Sequence, residues 1–349
     1  MLPEVKIGNR TVGQAHEPYI ICEISANHNG DITKALELIN SAASTGCDAI
    51  KLQTYTPNTM TIDHDSEEFM IKGGLWDGYK LYDLYSEAHT PFEWHKELFA
   101  YARELGVEIF STPFDESAAD LLDELNVPAF KIASFELTDL PLIKYVAGKG
   151  KPMIMSTGLA TLHEISAAVN AAHSVDNYEL ILLHCVSSYP APIEQSNVKT
   201  VQHLSNTFNV VSGLSDHTLS NASSIASIAL GGSVIEKHFT LRRSDGGPDA
   251  SFSLEPEEFR VLNKECKEAW KSLGKVDYSI KDSEQKNLRF RRSVYFVNDL
   301  VEGSVISPED VQIIRPGFGL APEHFDRIIG RRLRVNVSRG EATKWHHFN

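Results

Sequence analysis

Two lysines of the sequence lie inside short apolar runs, where an unpaired cation is costly. Lys51 falls in the run DAIKLQ and Lys131 in the run FKIAS. A buried ammonium group needs an anion to offset its lost hydration. The lysines therefore predict either ion pairs with Glu23 and Glu136 or a clamp for a phosphate or carboxylate ligand. Hydroxyl groups near the ends of neighbouring runs would complete such a clamp; they belong to Thr112, Ser134, Ser156 and Ser215.

Two histidines end the later apolar runs GLSDH and VIEKH. If those runs are neighbouring strands, the imidazoles of His217 and His238 meet and can bind a divalent metal. Imidazole nitrogen suits Mn, Zn or Fe, whereas carboxylate and water oxygen favour Mn or Mg; Glu23 and Asp249 are the candidate carboxylates. A simple hydrogen-bonding role is the alternative for each histidine. Two protein ligands would leave positions open for a substrate, as Lewis-acid catalysis requires.

Each of the other polar residues allows two interpretations of its role. Glu23 and Glu136 both end an apolar run, and either could act as a general acid or base or orient a sugar hydroxyl. Tyr189, beside a Pro-Ala-Pro turn, lines a sugar site or only packs. Arg315 lies on a Gly/Pro turn near the end of the chain, where a solvated surface arginine is the default.

The elements that must position these residues alternate along the chain. Eight apolar runs between Tyr19 and His238 stop at or beside a polar residue, and most neighbouring runs flank a helix-like stretch. The stretch ITKALELINSAAST has apolar residues at the helical period, and Gly46 behind it is typical of a helix end. This alternation predicts a parallel sheet. Eight such units fit the α/β fold of a (β/α)₈ TIM barrel, whose functional residues lie at the carboxyl ends of the strands.

Two regions interrupt the alternation. Residues 54–90 form a long insertion rich in aromatic residues and glycine, which predicts a functional loop or a packing flap. Residues 276–291 are polar and charged, as is typical of a linker, and residues 292–349 form a compact stretch of short strands and turns. We therefore predict a barrel domain at residues 1–275, a linker at 276–291 and a small domain at 292–349, which is marginal in size for folding alone.

Composition excludes several classes of partner. The formal net charge is −14, which argues against nucleic acid or an anionic membrane. No apolar stretch approaches the roughly 20 residues that span a bilayer. The chain starts without the apolar segment of a secretory signal, and its four cysteines lack a C-x-x-C spacing. These features predict a cytoplasmic protein with buried, reduced cysteines.

Eight motifs in this order resemble the sialic acid synthase family. They are ICEISANHNGD, DAIKLQTYTP, FSTPFD, FKIASFE, MSTG, LLHC followed by YP-x-P, GLSDHT and IEKHF. The resemblance covers nearly the whole chain, and the C-terminal domain is similar to type III antifreeze protein, the SAF fold. Enzymes of this family condense phosphoenolpyruvate with an N-acetylated aldose to make nonulosonic acids.

Within the family, the chain most resembles the branch that makes pseudaminic acid. QTYTPNTMTI, the insertion with GGLWDG and KIASFELTD carry this likeness. Phe135 stands where members that make sialic or legionaminic acid have a glycine, which implies a differently shaped acceptor. Ser187, often an asparagine in sialic acid synthases, points the same way, whereas Gly247-Pro248-Asp249 is closer to the sialic and legionaminic members.

The resemblance implies a role for each matching residue. The phosphoenolpyruvate-binding positions match Lys51, Thr112, Lys131, Ser134, Ser156 and Ser215. The metal ligands match His217 and His238, with Mn²⁺ expected and Mg²⁺ or Co²⁺ as alternatives. Glu23 matches a carboxylate near the reacting carbons, so we expect Glu23 and Glu136 to be catalytic. The sugar contacts match Glu136, Tyr189, Asp249 and Arg315, and Phe135 would shape the same site.

The resemblance also implies the reaction and the assembly. The expected acceptor is 2,4-diacetamido-2,4,6-trideoxy-L-altrose, condensed with phosphoenolpyruvate and water to give pseudaminic acid and phosphate. The metal would polarise the sugar carbonyl. In the expected homodimer, the SAF domain of one copy brings Arg315 to the active site of the other. The alternatives are a legionaminic or N-acetylneuraminic acid synthase, a metal-dependent lyase or hydrolase and a non-catalytic sugar-binding protein.

Overall fold

The computed structural model describes residues 2–349, which form two compact units divided between Gly274 and Lys275. The first unit opens with an antiparallel hairpin of strands β1 (Glu4–Ile7) and β2 (Arg10–Gly13). Its side chains Val5, Ile7 and Val12 are buried in the main hydrophobic core. The sequence analysis did not predict this hairpin, because two short strands of mixed polarity carry little periodic signal.

The first unit is a closed barrel of eight parallel strands within the described residues. The strands are β3 (Tyr19–Glu23), β4 (Ala49–Thr54), β5 (Glu108–Pro113), β6 (Phe130–Ile132), β7 (Met153–Ser156), β8 (Leu180–Cys185), β9 (Val211–Ser215) and β10 (Val234–His238). The ring closes where β10 pairs with β3, placing His238 opposite Glu23. The predicted TIM barrel is therefore confirmed.

Helices connect the strands and cover the outside of the barrel. They are α1 (Ile32–Ser44), α2 (Pro57–Met60), α3 (Leu81–Ala88), α4 (His95–Glu104), α5 (Glu116–Glu124), α6 (Leu140–Ala147), α7 (Leu162–His173), α8 (Lys199–Phe208), α9 (Ala222–Ala229) and α10 (Pro256–Leu273). Asp31 caps α1 by accepting a hydrogen bond from Thr33 N over 2.8 Å. Gly46 follows α1 with φ +77°, the left-handed conformation that glycine tolerates best.

The second unit has a hydrophobic core of its own. Strands β11 (Ser293–Phe296) and β12 (Val311–Ile314) pair antiparallel, and the short helix α11 (Phe325–Ile328) follows. Val294, Phe296, Ile328 and Phe348 pack together in this core. The segment predicted as a linker carries a 3₁₀ helix at Asp282–Phe290.

Burial of the cysteines agrees with the sequence analysis. Cys22, Cys47, Cys185 and Cys266 are all buried and free. Among residues 2–349, no helix is both long and apolar enough to cross a membrane. A cytoplasmic location stays a prediction.

Candidate active site

The ammonium group of Lys51 lies among polar groups at the carboxyl end of the barrel. It contacts the carboxylate of Glu23, donates to Thr112 Oγ1 over 3.2 Å and lies 3.8 Å from Glu236 Oε1. Burial alone would lower the pKa of Lys51, but the two carboxylates outweigh it and raise that pKa. The ion pair that the sequence offered as one alternative for Lys51 therefore exists, and it leaves Lys51 cationic beside the Thr112 hydroxyl.

Lys131 lies next to this group with a different set of partners. Its Nζ donates to Ile132 O and to Ser156 Oγ, both over 2.7 Å, and it forms no ion pair with any described residue. The ion pair with Glu136 that the sequence allowed is therefore not formed. Burial lowers the pKa of Lys131 to about 8, with Glu236 opposing the shift. The ammonium group of Lys131 is thus buried with only neutral hydrogen-bond partners among the described residues.

Glu236 is a site residue that the sequence analysis missed. Its Oε1 accepts a hydrogen bond from Ser215 Oγ over 3.0 Å, and its Oε2 has no hydrogen-bond partner within residues 2–349. Burial raises the pKa of Glu236, but the positive charges of Lys51 and Lys131 outweigh burial, and the net effect is a lowered pKa. The carboxyl group is therefore ionised. The missed signal was the two-residue period of a strand: Glu236 and His238 must share the face of β10 that lines the barrel.

Glu23 faces the same group of residues from β3. Burial raises the pKa of this carboxyl to about 7, helped by the negative charge of Glu236 and opposed by Lys51. Its Oε1 lies 3.5 Å from Gln53 Nε2 on the neighbouring strand. A carboxyl whose pKa lies near neutrality can both release and accept a proton.

The two histidines meet as predicted from their strand positions. The ring centroids of His217 and His238 are 5.4 Å apart. His217 Nδ1 lies 2.9 Å from the carbonyl oxygen of Val186 and donates a hydrogen bond to it, which leaves Nε2 to face a ligand. Burial lowers the pKa of His217, but the neighbouring Cys185 outweighs burial and raises it. His238 Nδ1 is buried without a hydrogen-bond partner in the described chain, and it lies 4.0 Å from Asp249 Oδ2.

This pair fits a divalent metal. Burial and the neighbouring His217 hold the pKa of His238 well below its ordinary value, so its imidazole is neutral, as a ligand must be. Among residues 2–349, no group of three or more His, Cys, Asp or Glu side chains is assembled around one point. Two imidazoles would therefore hold the ion and leave the other positions to substrate and water.

Ser134 lies at the crowded end of β6. Its Oγ accepts a hydrogen bond from Gly158 N over 3.2 Å. A Cβ at position 158 would lie 2.7 Å from Ser134 Oγ and closer still to Ser187 Oγ. Only glycine therefore lets these two hydroxyls approach the backbone here, and Ser187 is also a residue that the sequence singled out.

A largely apolar cavity of 330 Å³ adjoins His238 and Asp249. Glu136, Tyr189 and the exposed Phe135 line it, as the sequence predicted for a sugar site, and burial raises the pKa of Glu136 to about 7. The residues that the insertion contributes are Tyr55, Met60, Ile71, Trp76, Leu81, Leu84, Tyr85 and Ala88. The insertion thus packs over the barrel and also lines the cavity, and its functional role stays a prediction.

Trp76, from the GGLWDG segment, connects the insertion to the barrel loops. Its Nε1 donates to Pro248 O over 3.1 Å, and its ring centroid lies 5.8 Å from that of Tyr189. Tyr189 in turn packs on His217 at 4.4 Å between centroids. An aromatic wall therefore runs from the insertion to the histidine pair.

Arg315 belongs to the second unit. It is exposed and follows β12 directly. Its predicted role in a partner's active site stays a prediction. The structure does bring together the predicted residues of the barrel, which are Glu23, Lys51, Thr112, Lys131, Ser134, Glu136, Ser156, Tyr189, Ser215, His217, His238 and Asp249.

The fold and this site define a TIM-barrel enzyme with a cationic, hydroxyl-lined end beside an apolar cavity. The NeuB family model matches residues 38–278, and the SAF domain model matches residues 291–349. The chain therefore belongs to the NeuB family, that of the sialic acid synthases, and the predicted resemblance and enzyme class are confirmed.

Named relatives lie in two branches of this family. A pseudaminic acid synthase of Campylobacter jejuni is 40% identical over 344 residues, covering 99% of this chain and 100% of the relative. An N,N'-diacetyllegionaminic acid synthase of Legionella pneumophila is 36% identical over 346 residues, covering 97% of each chain. The crystal structure of an N-acetylneuraminic acid synthetase from Leptospira borgpetersenii has a TM-score of 0.74 at 30% identity, covering 83% of this chain and 97% of that one.

Proposed function

We propose that the protein condenses phosphoenolpyruvate with 2,4-diacetamido-2,4,6-trideoxy-L-altrose and water to give pseudaminic acid and phosphate. The observation that carries this proposal is an apolar cavity at the same end of the barrel as the two buried lysines, since its lining residues Gln53 and Ala133 lie two residues after Lys51 and Lys131, respectively. A new C–C bond forms between C3 of phosphoenolpyruvate and the aldehyde carbon of the sugar. Water adds to C2, and the C–O bond to the phosphate breaks.

The cationic end of the barrel binds phosphoenolpyruvate. Lys131 has no anionic partner of its own in the described chain, and the ammonium of Lys51 lies next to the Thr112 hydroxyl. With Ser134, Ser156 and Ser215 they supply charge and hydrogen bonds to a phosphate and a carboxylate. Because these groups are fixed before the substrate arrives, they also stabilise the departing phosphate without reorganising.

Two carboxylates flank the reacting carbons. Glu236 is held ionised by the lysines and can stabilise positive charge that develops at C2. Glu23, with a pKa near 7, is suited to take a proton from the attacking water. Glu136 lies in the sugar cavity instead, where its unpartnered Oε2, among residues 2–349, can accept a hydrogen bond from an acetamido N–H.

His217 and His238 hold the divalent metal, for which Mn²⁺ is the proposed ion and Mg²⁺ or Co²⁺ the alternatives. When bound, the ion supplies Lewis-acid polarisation of the sugar carbonyl. Val186 O orients the His217 ring, and Asp249 lies beside His238. The hydrogen bond to Val186 O fixes which nitrogen of His217 faces the open side of the site.

The cavity matches the apolar groups of the proposed sugar. A trideoxy diacetamido sugar carries three methyl groups, one at C6 and two on its acetamido groups, and few hydroxyls. Trp76, Tyr85 and Phe135 offer aromatic and apolar surface to such groups. A sugar with a hydroxylated side chain in place of the C6 methyl would leave polar groups against this wall, at a cost in binding.

We further propose a homodimer in which the SAF domain of each copy reaches the active site of the other. Exposed leucines follow strands at the carboxyl end of the barrel: Leu159 and Leu219, on loops, are 73% and 59% exposed, and Leu162, the first residue of α7, is 51% exposed. Residues 275–349 carry 13 Lys and Arg against 10 Asp and Glu, whereas residues 1–274 carry 20 against 37. A basic domain that carries Arg315 therefore complements the acidic barrel of a second copy.

The test is phosphate release from phosphoenolpyruvate with Mn²⁺ and three acceptors side by side. They are the altrose sugar, its legionaminic-type isomer and N-acetylmannosamine. Release with the altrose sugar alone supports the proposal. Release with another acceptor instead refutes the proposed sugar, and release with none of them, from folded and metal-loaded protein, refutes the reaction.

A further inference from the structure

Ser25 has a backbone conformation that ordinarily belongs to glycine. Its φ is +44°, and a hydrogen bond of 3.0 Å from Asn27 N to Ile24 O closes a turn around it. Its side chain is buried, with 1% of the residue exposed. A residue with a Cβ loses folding free energy in this region. The presence of a serine at this position therefore indicates that its hydroxyl makes a contact that glycine cannot make.

The hydroxyl of Ser25 joins two parts of the site. It donates to Asp249 Oδ2 and accepts a hydrogen bond of 3.1 Å from Gln53 Nε2. Gln53 Nε2 also lies 3.5 Å from Glu23 Oε1. Since a hydroxyl has one hydrogen, the bond from Gln53 leaves that hydrogen for Asp249. The result is one polar chain from Glu23 to the carboxylate beside His238.

Asp249 itself lies in a loop held by few other contacts. Its carbonyl accepts a hydrogen bond of 2.6 Å from Ser253 Oγ, and the preceding Pro248 O accepts one from Trp76. Neither bond fixes the carboxylate, which is held by the backbone N–H of Ala26 and by the Ser25 hydroxyl; among the described side chains, Ser25 is the one that hydrogen-bonds to it.

We infer that Ser25 is a positioning residue for the acceptor sugar, acting through Asp249. This inference rests on the proposed function, because it takes the cavity lined by Gln53 and Asp249 as the acceptor site. Ser25 fixes the rotamer of Asp249 before the sugar binds, so no binding free energy is spent on ordering the carboxylate. Phosphoenolpyruvate binds at the lysines and is not affected by this contact.

Two substitutions separate the backbone from the hydroxyl. Ser25→Gly removes the hydroxyl and suits φ +44°, so Tm stays within about 3 °C of the wild type. Ser25→Thr keeps the hydroxyl but places a branched side chain in a disfavoured conformation, so Tm falls while activity is retained in part. Asp176→Gly is the matched control. Asp176 also has a positive φ, of +61°, but it is exposed and lies in the loop before β8, at the opposite end of the strands.

The expected result is a split between the two substrates. In Ser25→Gly, kcat/KM for the acceptor falls about tenfold or more, as for loss of a hydrogen bond to a charged group, and KM for phosphoenolpyruvate changes less than twofold. Asp176→Gly retains wild-type kinetics. In an Asp249→Ala background, which removes the acceptor of the Ser25 hydrogen bond, adding Ser25→Gly causes no further loss.

Three outcomes overturn the inference: wild-type kinetics in Ser25→Gly, a parallel rise of both KM values with a lower Tm, and additive losses with Asp249→Ala. Calorimetric titration of the acceptor into metal-loaded wild type and Ser25→Gly measures the same effect without turnover, and equal affinities also overturn it. Failure of the proposed function can be distinguished from failure of this inference, because the acceptor assay with the wild-type protein reveals it without any variant. If the wild type uses a different acceptor, the same comparison is made with that sugar.

Discussion

Lys131 and Ser156 are hydrogen-bonded across the neighbouring strands β6 and β7, with 2.7 Å between Nζ and Oγ. The bond aims the ammonium group into the barrel mouth, where no described carboxylate forms an ion pair with it. A cation held this way is available to an anionic substrate but is easily deprotonated, since burial disfavours its charge. The site therefore depends on pH through this residue.

The pKa of about 8 for Lys131 predicts weaker phosphoenolpyruvate binding in alkaline solution. Because this pKa is lowered, the ammonium is present below pH 8 and is lost as the pH rises through 8. We expect KM for phosphoenolpyruvate to rise above this pH in the wild type and to stay flat to higher pH in Lys131→Arg, which remains charged. If KM for phosphoenolpyruvate, measured by phosphate release, rises equally above pH 8 in both proteins, Lys131 is not the group that titrates.

Glu236→Gln tests the carboxylate that the sequence analysis missed. Glutamine has the same shape and can still accept the hydrogen bond from Ser215 Oγ, so the fold is retained. We expect kcat to fall about 100-fold, since a charge beside the reacting carbons is lost, with no rise in KM for phosphoenolpyruvate. The control is Glu268→Gln on the exposed face of α10, which should not alter kcat. A kcat for Glu236→Gln near that of the wild type would remove Glu236 from the mechanism.

Two buried histidines predict loss of stability in mild acid. His95 Nε2 lies 2.7 Å from Thr54 Oγ1, and His28 Nε2 lies 3.1 Å from Thr90 Oγ1. Burial lowers the pKa of each to about 4, against roughly 6.5 in the unfolded chain. The unfolded state therefore binds more protons between pH 6.5 and 4, and the free energy of unfolding falls as the pH is lowered through this window, by at most about 3 kcal/mol per histidine.

Urea unfolding at several pH values measures this dependence. His95→Gln should unfold more easily at neutral pH but show a shallower decline in acid, because one titrating group is gone. The exposed His203 on α8 serves as control, since His203→Gln should leave the slope unchanged. An unchanged slope in His95→Gln would show that His95 does not titrate as its burial requires.

Loss of the buried ion pair between Lys237 and Asp216, the sequence neighbours of His238 and His217, should lower stability strongly. Lys237 Nζ donates to Asp216 Oδ2 over 2.8 Å and to Thr218 O over 2.7 Å. Lys237→Met leaves the carboxylate of Asp216 buried without its cation, at a cost of about 3–5 kcal/mol. The double variant with Asp216→Asn should recover part of this loss. The control Lys264→Met removes a cation from the exposed i,i+4 pair with Glu268 and should change the urea midpoint little.

Several parts of the site follow from local pattern alone. A strand shows its length in an apolar run, and a polar residue at its end stands out because it breaks that run. His238 was found for this reason, whereas Lys51 and Lys131 were found because a lysine inside an apolar run needs an anionic partner. Glu236 and Lys237 both lie inside the apolar run of β10. Their roles differ only because one side chain points into the barrel and the other points out of it. Glu236 lines the barrel, whereas Lys237 faces Asp216 and the loop before α9.

The sequence by itself determined the barrel, the two-part organisation and the family, because strand and helix periods and ordered motifs are local properties of the chain. Only the tertiary structure decided which groups pair. Lys51 contacts Glu23 while Lys131 takes no described anion, and Ser25 reaches Asp249 across 224 residues of sequence. Such pairings depend on barrel closure and strand register, which bring distant residues within hydrogen-bond distance. Neither barrel closure nor strand register produces a periodic pattern in the sequence.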